Sequence, residues 1–181
     1  MPIAKRMKPL MGEGKKSTWG TPWSFFRMID KEFNFLLDVC AEPKTAKVKS
    51  CYFTREENSF KQNWAEVAKE RWEATPGNVY SGYDGGEDLT AWCNPPYGPV
   101  IDQWLIKGWE EAQRGLTTVY LLPARTDVKW FHMFGPEGEL RFVKGRITFQ
   151  GASHGATFPS LLLILGPRAE VGAVKYMSNG R

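Results

Sequence analysis

Residues 89–122, LTAWCNPPYGPVIDQWLIKGWEEAQRGLTTVYLL, contain the pattern that decides the fold. Leu89–Cys93 is a short apolar run that predicts a buried strand, and Thr117–Leu122 predicts a second. Between them, apolar residues recur at the spacing of one helix face, and Gly115 ends that helix. A strand, a crossover helix and another strand form a βαβ unit, which implies two parallel strands in one sheet. We therefore expect an α/β protein.

Weaker patterns on both sides of this unit extend the sheet. We expect a helix to begin near Thr21, which can cap it, with Pro22 at the first helical position. Phe35–Cys40 predicts a buried strand. Lys144–Arg146 predicts a hairpin turn between strands at 140–143 and 147–150. The other expected elements are a weak strand at 48–53, a helix within 59–72, a glycine-rich loop at 73–90, a short helix at 130–134 and a strand at 161–165.

Length and composition place the chain among ordinary globular domains. It has 181 residues, of which 42% are hydrophobic and 24% charged, so it has enough apolar surface for a core and is not a disordered tail. The longest aliphatic run, Leu161–Leu165, is far too short to cross a membrane. The N-terminal stretch lacks the apolar region of a secretory signal. Cys40, Cys51 and Cys93 suggest no disulfide framework, so we expect a reducing, cytoplasmic setting.

The charge is distributed unevenly along the chain. Residues 1–16 carry a net charge of +4, residues 17–140 carry −5, and residues 141–181 carry +5. We expect 1–16 to be a basic, flexible arm and 17–181 to form the folded domain. Basic ends around an acidic middle suit a polyanion bound at one face, although a solvated tail would give the same composition.

The most informative motif is Asn94-Pro95-Pro96-Tyr97, at the carboxyl end of a predicted parallel strand, where α/β sheets bind ligands. The amino group of a nucleobase is a poor nucleophile because its lone pair is delocalised into the ring. The side-chain oxygen of Asn94 and the carbonyl of Pro95 can accept both amino hydrogens and oppose that delocalisation. Pro96 adds no competing N–H donor, and Tyr97 offers a flat face to a base that has left the stack. The alternative interpretation is a rigid Pro-Pro turn followed by an aromatic residue.

These residues belong to a longer series of motifs. The chain resembles the phage-type DNA N6-adenine methyltransferases, which use S-adenosylmethionine, from about Ser17 to Leu165. The matching segments are Thr21-Pro22, 37–41, 57–60 with Trp64, 92–97, 121–127, 130–132, 145–149 and 158–160. The resemblance implies a Rossmann-like class I methyltransferase fold, a single compact domain whose mostly parallel sheet has helices on both faces. It also implies DNA as the partner, S-adenosylhomocysteine as the product, and a phage or prophage enzyme acting in the host cytoplasm.

The resemblance further implies which residues hold the cofactor: Asp38, Cys40 and Ala41 at its methionine end, Trp19, Thr21 and Pro22 covering it, and Asn58 near its adenosine. The carboxylate of Asp38, at a strand end, can accept a hydrogen bond from the cofactor's ammonium group. We therefore expect Asp38→Ala to abolish cofactor binding and to leave the fold intact. The chain departs from larger methyltransferases in lacking a glycine-rich turn here, since Cys40-Ala41-Glu42-Pro43 replaces it.

DNA contacts are expected from Arg125, Lys144 and Arg146, whose charges suit phosphates. A separate target-recognition domain does not fit in the sequence, so recognition is expected from the loop 65–90 and the segment 150–159. The cysteines and histidines lack metal-ligand spacing, so we expect no metal.

Four other functions remain open at this point. The same motif serves methylation of cytosine N4, of RNA, or of a glutamine side chain. The basic ends favour a nucleic acid over a protein substrate. An inactive DNA-binding module would require the loss of Asn94 or Tyr97, and both are present.

Overall fold

The computed structural model describes residues 20–76 and 88–180, which fold around one sheet. Its strands are β1 (Leu37–Asp38), β2 (Thr90–Cys93), β3 (Thr117–Pro123), β4 (Glu139–Lys144), β5 (Ser160–Leu165) and β6 (Val174–Ser178). The helices are α1 (Trp23–Phe33), α2 (Trp64–Glu73), α3 (Ile101–Ala112) and α4 (Lys129–Phe134), with a short 3-10 helix at Ser59–Lys61. The expected basic arm, residues 1–16, lies outside the described residues.

The strands lie in the order β1-β2-β3-β5-β4-β6. β1 with β2, β2 with β3, and β4 with β6 pair in parallel, whereas β5 is antiparallel to both of its neighbours, β3 and β4. The sheet is mixed, with three parallel and two antiparallel pairs, so the expectation of a mostly parallel sheet holds only in part. The physical reason is the connection 145–159, which holds no crossover helix and returns the chain in the opposite direction.

The βαβ unit expected at 89–122 is confirmed. β2 and β3 pair in parallel from Thr90↔Thr117 to Cys93↔Tyr120, with α3 as the crossover. Gly108 lets this helix approach the sheet, because a Cβ there would collide with the hydroxyl of Tyr120. That hydroxyl donates a hydrogen bond to the carbonyl of Trp104 at 3.0 Å. The unit therefore places the motif that follows β2 on a rigid support.

Helices cover both faces of the sheet, as expected for one α/β domain. On one face α1 buries Phe25, Phe26, Ile29 and Phe33 against strand residues that include Trp92 and Val119. The other three helices pack on the opposite face, where their buried residues include Trp64, Leu105 and Phe134. No helix within 20–76 or 88–180 is long and apolar enough to span a bilayer.

Several expected elements are wrong or shifted. Residues 147–150 form no strand and no hairpin with β4; Gln150 makes only an isolated bridge to Gly20. Ile147 and Phe149 are buried at alternate positions because both pack against the α1 face of the sheet. They are not paired with a neighbouring strand. The expected strand at 48–53 reduces to a bridge between Asp38 and Tyr52.

Two expected boundaries also change. α2 extends to Glu73, so the first part of the expected loop 65–90 is helical, and 77–87 lies outside the described residues. α1 begins at Trp23 with Pro22 as its N-cap, and Thr21 provides no side-chain cap.

Candidate active site

The carboxyl ends of β1, β2, β3 and β4 lie at one edge of the sheet, because these strands run in the same direction. This edge brings together Asp38 at the end of β1, Asn94 after β2, Arg125 after β3 and Lys144 at the end of β4. Neighbouring strands are about 4.8 Å apart, so Asn94 and Lys144, three strands apart in the sheet, are separated by roughly 14 Å across this edge. The sequence-predicted residues therefore share one side of the molecule.

The Asn94–Tyr97 motif directly follows β2. Pro95 is buried, Pro96 is exposed, and Asn94 and Tyr97 are partly buried. The hydroxyl of Tyr97 lies 3.2 Å from Oδ1 of Asn94 and 3.3 Å from the carbonyl oxygen of Leu121, both of which can accept its hydrogen. Burial raises the pKa of the Tyr97 phenol well above its usual range, so it stays a neutral donor. Tyr97 is thus tied to the side-chain amide of Asn94, a contact that the sequence does not predict.

Aromatic residues hold the ring of Tyr97 in place from the segment before β5. Phe158 and Phe149 contact it edge-on, with ring centroids 5.4 and 6.2 Å away. Tyr97 also lines a cavity of about 410 Å³, together with residues that include Asp102, Arg125, Lys129, Trp130 and Phe158. The motif therefore opens onto a space with aromatic walls and two cationic side chains.

Asp38 is nearly inaccessible, at 2% exposure, and both of its carboxylate oxygens accept backbone hydrogen bonds. Oδ2 accepts from the N–H of Lys47 at 2.8 Å and Oδ1 from the N–H of Cys40 at 3.3 Å. Burial raises the pKa of Asp38 to about 6, against the lowering effect of these donors and of the Lys47 charge. The carboxylate therefore holds the loop that follows β1, and each oxygen keeps a further lone pair.

Cys40 and Ala41 continue from this strand end, where the N–H of Ala41 donates to the carbonyl of Phe53 at 3.0 Å. Asn58 lies beyond the turn closed by Thr54 and Glu57 and has a φ of 53°, in the left-handed region that few non-glycine residues adopt. Such strained positions concentrate at functional sites. Among the described residues, no hydrogen bond joins Asn58 to Asp38.

A cluster that the sequence does not predict lies beside Asp38. Lys47 is 5% exposed, its ammonium group donates to Oε1 of Gln150 at 3.0 Å, and it lies 4.3 Å from the centre of the Trp23 ring. The backbone of Gly20 bridges to Gln150, and its missing Cβ leaves room for the Gln150 side chain. Burial lowers the pKa of Lys47 to about 8. The run Ala46-Lys47-Val48 gives only a weak signal in the sequence, and Gln150 is too distant along the chain to be paired with it.

Thr21 and Pro22 lie at the same place, directly before α1. Thr21 is 1% exposed, and its hydroxyl has no hydrogen-bond partner in the described structure. Trp19, the remaining residue of the expected cofactor set, lies outside the described residues.

The basic residues expected to contact DNA are exposed. Arg125 lines the cavity beside Tyr97, and Lys144 and Arg146 extend the positive charge beyond β5. All three lie at the carboxyl edge.

The surroundings of the three cysteines disfavour the thiolate form. Burial raises the pKa of Cys40, Cys51 and Cys93 above the usual range, which keeps these thiols protonated at neutral pH. Within 20–76 and 88–180, no group of three or more His, Cys, Asp or Glu side chains is arranged to hold a metal ion.

The comparison with known families shows which family the chain belongs to. The family model described as DNA N-6-adenine-methyltransferase (Dam) matches residues 11–179. The chain belongs to this family. It is a DNA N6-adenine methyltransferase, and the match supports neither cytosine, RNA and glutamine methylation nor an inactive module. No curated protein matches the chain.

Membership in the Dam family gives the class of reaction, which is methyl transfer to the N6 amino group of adenine in DNA. The family implies a methyl donor of the S-adenosylmethionine type and DNA as the substrate.

Proposed function

We propose that this Dam-family enzyme binds S-adenosylmethionine at the carboxyl end of β1 and transfers its methyl group to an adenine held at Asn94. The observation that carries the proposal is the hydrogen bond from Tyr97 to Asn94 beside a cavity, one strand away from the buried Asp38. Incubation with methyl-labelled S-adenosylmethionine tests it, since label should appear in DNA and not in RNA or in the protein. A labelled RNA or protein product would contradict it.

The residues around β1 fit this cofactor. Asp38 offers a carboxylate with unused lone pairs to an ammonium group, and the orphaned hydroxyl of Thr21 offers a buried donor and acceptor. We place the methionine end near Asp38, Cys40 and Ala41, and the cover at Trp19, Thr21 and Pro22. Asn58, with its left-handed backbone, is assigned to the adenosine. The cofactor supplies an electrophilic methyl group on a sulfonium.

Binding of the adenine amino group depends on the hydrogen bonds that Asn94 can still accept. Its Oδ1 has two lone pairs, so it can accept from the hydroxyl of Tyr97 and from an amino hydrogen of adenine at the same time. The carbonyl of Pro95 takes the second amino hydrogen. Because Pro95 and Pro96 restrict the backbone, both acceptors are oriented before the base arrives. Together they oppose delocalisation of the amino lone pair into the ring.

We assign the cavity beside Tyr97 to an adenine that has left the double helix. Unstacking costs a few kcal/mol, which contact with the faces of aromatic side chains partly offsets. Arg125 and Lys129 provide donors at the cavity, and the ring nitrogens of adenine are acceptors. The arrangement of site residues at the carboxyl ends of parallel β1, β2 and β3 also supports a variant of the Rossmann-like fold, with β5 reversed.

DNA binding is expected to depend on the carboxyl edge and on the arm at 1–16. Removing one phosphate contact should reduce the slope of log K against log salt by roughly 0.9. Arg125→Ala, Arg146→Ala and deletion of 1–16 should therefore weaken DNA binding and make its salt dependence shallower. Lys31→Ala is the matched control, because Lys31 is exposed in the last turn of α1, away from this edge.

Titration of a fluorescent DNA duplex at several salt concentrations measures these slopes. An unchanged slope for all three variants would show that DNA does not contact this edge. An equal loss of affinity for Lys31→Ala would show that only total charge matters.

A cytoplasmic location follows from action on DNA in a host cell and is part of the proposal. The phage or prophage origin that the resemblance implies stays a prediction.

A further inference from the structure

We propose that the outer edge of β6 binds the same edge of a second copy of this chain, so that two sheets join into one across a two-fold axis at Tyr176. The proposed methyl transfer leaves this edge without a role. β6 is the last strand of the sheet, and within 20–76 and 88–180 no strand pairs with its outer side. The side chains, the backbone groups and the charge of this strand all favour pairing with a second copy.

The first observation is a patch of exposed apolar side chains. Four large apolar side chains are exposed among the described residues, and three of them, Val171, Val174 and Tyr176, lie in β6 or just before it. Val174 and Tyr176 project from the same face of the sheet, because they are two residues apart in a strand. Tyr176 is 82% exposed, and its ring lies beside that of Phe142 in β4, with centroids 6.2 Å apart. Single apolar residues are common on protein surfaces, whereas a contiguous patch marks an interaction site.

The second observation is a row of backbone groups without a partner strand. The N–H of Leu140 donates to the carbonyl of Ala173 at 2.9 Å, so the backbone groups of Ala173 and of every second residue after it face β4. The N–H and carbonyl groups of Val174, Tyr176 and Ser178 therefore point away from the sheet. Edge strands are commonly protected from pairing by proline, a bulge or a free charged side chain. β6 contains no proline and pairs with β4 without a bulge.

The opposite edge of the sheet cannot supply the partner strand. β1 has only two residues, and its outer side is occupied. The N–H of Asp38 donates to the carbonyl of Cys51 at 3.1 Å, and the carbonyl of Asp38 accepts from the N–H of Phe53 at 2.9 Å. β6 of a second copy offers the same unpaired groups as the first. Because such a contact uses one surface on both copies, it closes as a two-fold dimer and does not grow into a fibre.

Charge determines the alignment of the two strands. The ammonium group of Lys175 lies 3.1 Å from a carboxylate oxygen of Glu139 and 2.6 Å from one of Glu170, so its charge is balanced within its own copy. An axis at Tyr176 pairs all five residues of β6 and places each Lys175 opposite Met177 of the second copy. An axis one residue earlier would place the two lysines directly opposite each other, which is unfavourable. The axis at Tyr176 also brings the two exposed tyrosine rings together.

The paired strands run in opposite directions, so the carboxyl edges of the two copies face away from each other. Each Asn94 keeps its own approach to DNA, and kcat per chain should be the same in the monomer and the dimer. Five paired residues form a small interface, so the dimer should be weak and should depend on protein concentration.

Sedimentation velocity over a series of concentrations tests the dimer with the full chain. The unmodified protein should change from monomer to dimer as its concentration rises. Tyr176→Lys removes the pair of rings and places two like charges at the axis, so its dissociation constant should be at least roughly tenfold higher, with kcat unchanged. Val171→Lys is the matched control, because Val171 is also exposed but precedes the paired strand. It should form the dimer like the unmodified protein.

Cysteine cross-linking tests the position of the axis. In Tyr176→Cys the two Cα atoms at the axis would be about 5.5 Å apart, a separation that a disulfide can span. In Val171→Cys the two sulfur atoms would lie at opposite ends of the paired strands, too far apart to be linked. Mild oxidation should therefore link Tyr176→Cys and leave Val171→Cys unlinked. The unmodified protein should also stay unlinked, because its own cysteines are buried or half-buried.

Three results would overturn the proposal. One is an unmodified protein that stays monomeric at every concentration; if Tyr176→Ala then weakened DNA binding, the patch would be assigned to DNA. Another is a dimer that Tyr176→Lys leaves as tight as before, which would place the interface elsewhere. The third is equal cross-linking of the two cysteine variants, which would indicate random collisions and not a paired strand.

Discussion

Asn94→Ala is expected to lower kcat by roughly 10²–10³-fold, the usual cost of removing one preorganised polar group from a transition state. The side-chain oxygen of Asn94 accepts an amino hydrogen in the proposed mechanism, and the variant leaves only the carbonyl of Pro95. Affinity for S-adenosylhomocysteine should change by less than about twofold, because the cofactor-side residues are on a different strand. Single-turnover methyl transfer under saturating DNA measures the chemical step.

Two substitutions of Tyr97 serve as controls. From the sequence alone, Tyr97→Phe would be harmless because the ring face contacts the base. The hydrogen bond to Asn94 changes that expectation: Tyr97→Phe should lower kcat by roughly 3- to 10-fold without raising KM for DNA, since one hydrogen bond contributes about 1 kcal/mol. Tyr97→Ala should raise KM as well, because the stacking surface is removed. An Asn94→Ala enzyme with normal kcat would contradict the mechanism.

Asp38→Ala is expected to abolish measurable binding of S-adenosylmethionine and also to destabilise the protein by about 1–3 kcal/mol. The fold itself should stay intact, as expected from the sequence, with a lower free energy of unfolding. The substitution removes the acceptor of the Lys47 N–H, a buried donor that would be left unpaired at that cost. Calorimetry and chemical unfolding separate the two effects. Normal cofactor affinity in Asp38→Ala would remove this residue from the site.

Asp38→Asn tests how the ionisation of Asp38 affects the stability of the protein. Burial raises the pKa of Asp38 in the folded protein to about 6, above its ordinary value of 3.8. The folded state therefore retains a proton that the unfolded state has released. As pH rises from about 4 to 6, the stability that this group contributes is lost. Asp38→Asn should lack this component of the pH dependence, which chemical unfolding at pH 4.5 and 6.5 measures. If the free energy of unfolding changed equally between pH 4.5 and 6.5 in both proteins, Asp38 would not titrate in this range.

The parts of the fold that were predictable are those whose signals are local and periodic. β2, α3 and β3 follow from apolar runs and helical spacing within 89–122, and the structure reproduces them. β6 was not predicted, because Val174 and Tyr176 are exposed at the sheet edge and only alternate residues are partly buried. Conversely, Ile147 and Phe149 gave a strand-like alternation because irregular backbone also buries side chains. Whether such a segment forms a strand depends on its packing against segments that are distant in the sequence.

The same distinction applies to the site. Asn94–Tyr97 was predictable because its chemistry lies in four consecutive residues. Lys47 and Gln150 are 103 residues apart and meet only after β1 and the segment beyond β4 have packed together. The hydrogen bond from Tyr97 to Asn94 was also hidden, because it depends on the direction of side chains after the Pro-Pro turn. The sequence therefore indicated the residues at the adenine, and the structure was needed to find the cluster of Lys47 and Gln150 beside Asp38.

The most direct test of the whole account is the identity of the methylated nucleoside. DNA treated with the enzyme and methyl-labelled S-adenosylmethionine should be digested to nucleosides and analysed by mass spectrometry. The account predicts label in N6-methyladenine, formed by the unmodified enzyme and reduced at least roughly 100-fold in rate by Asn94→Ala. Label in N4-methylcytosine, or N6-methyladenine formed equally fast without the Asn94 side chain, would contradict it.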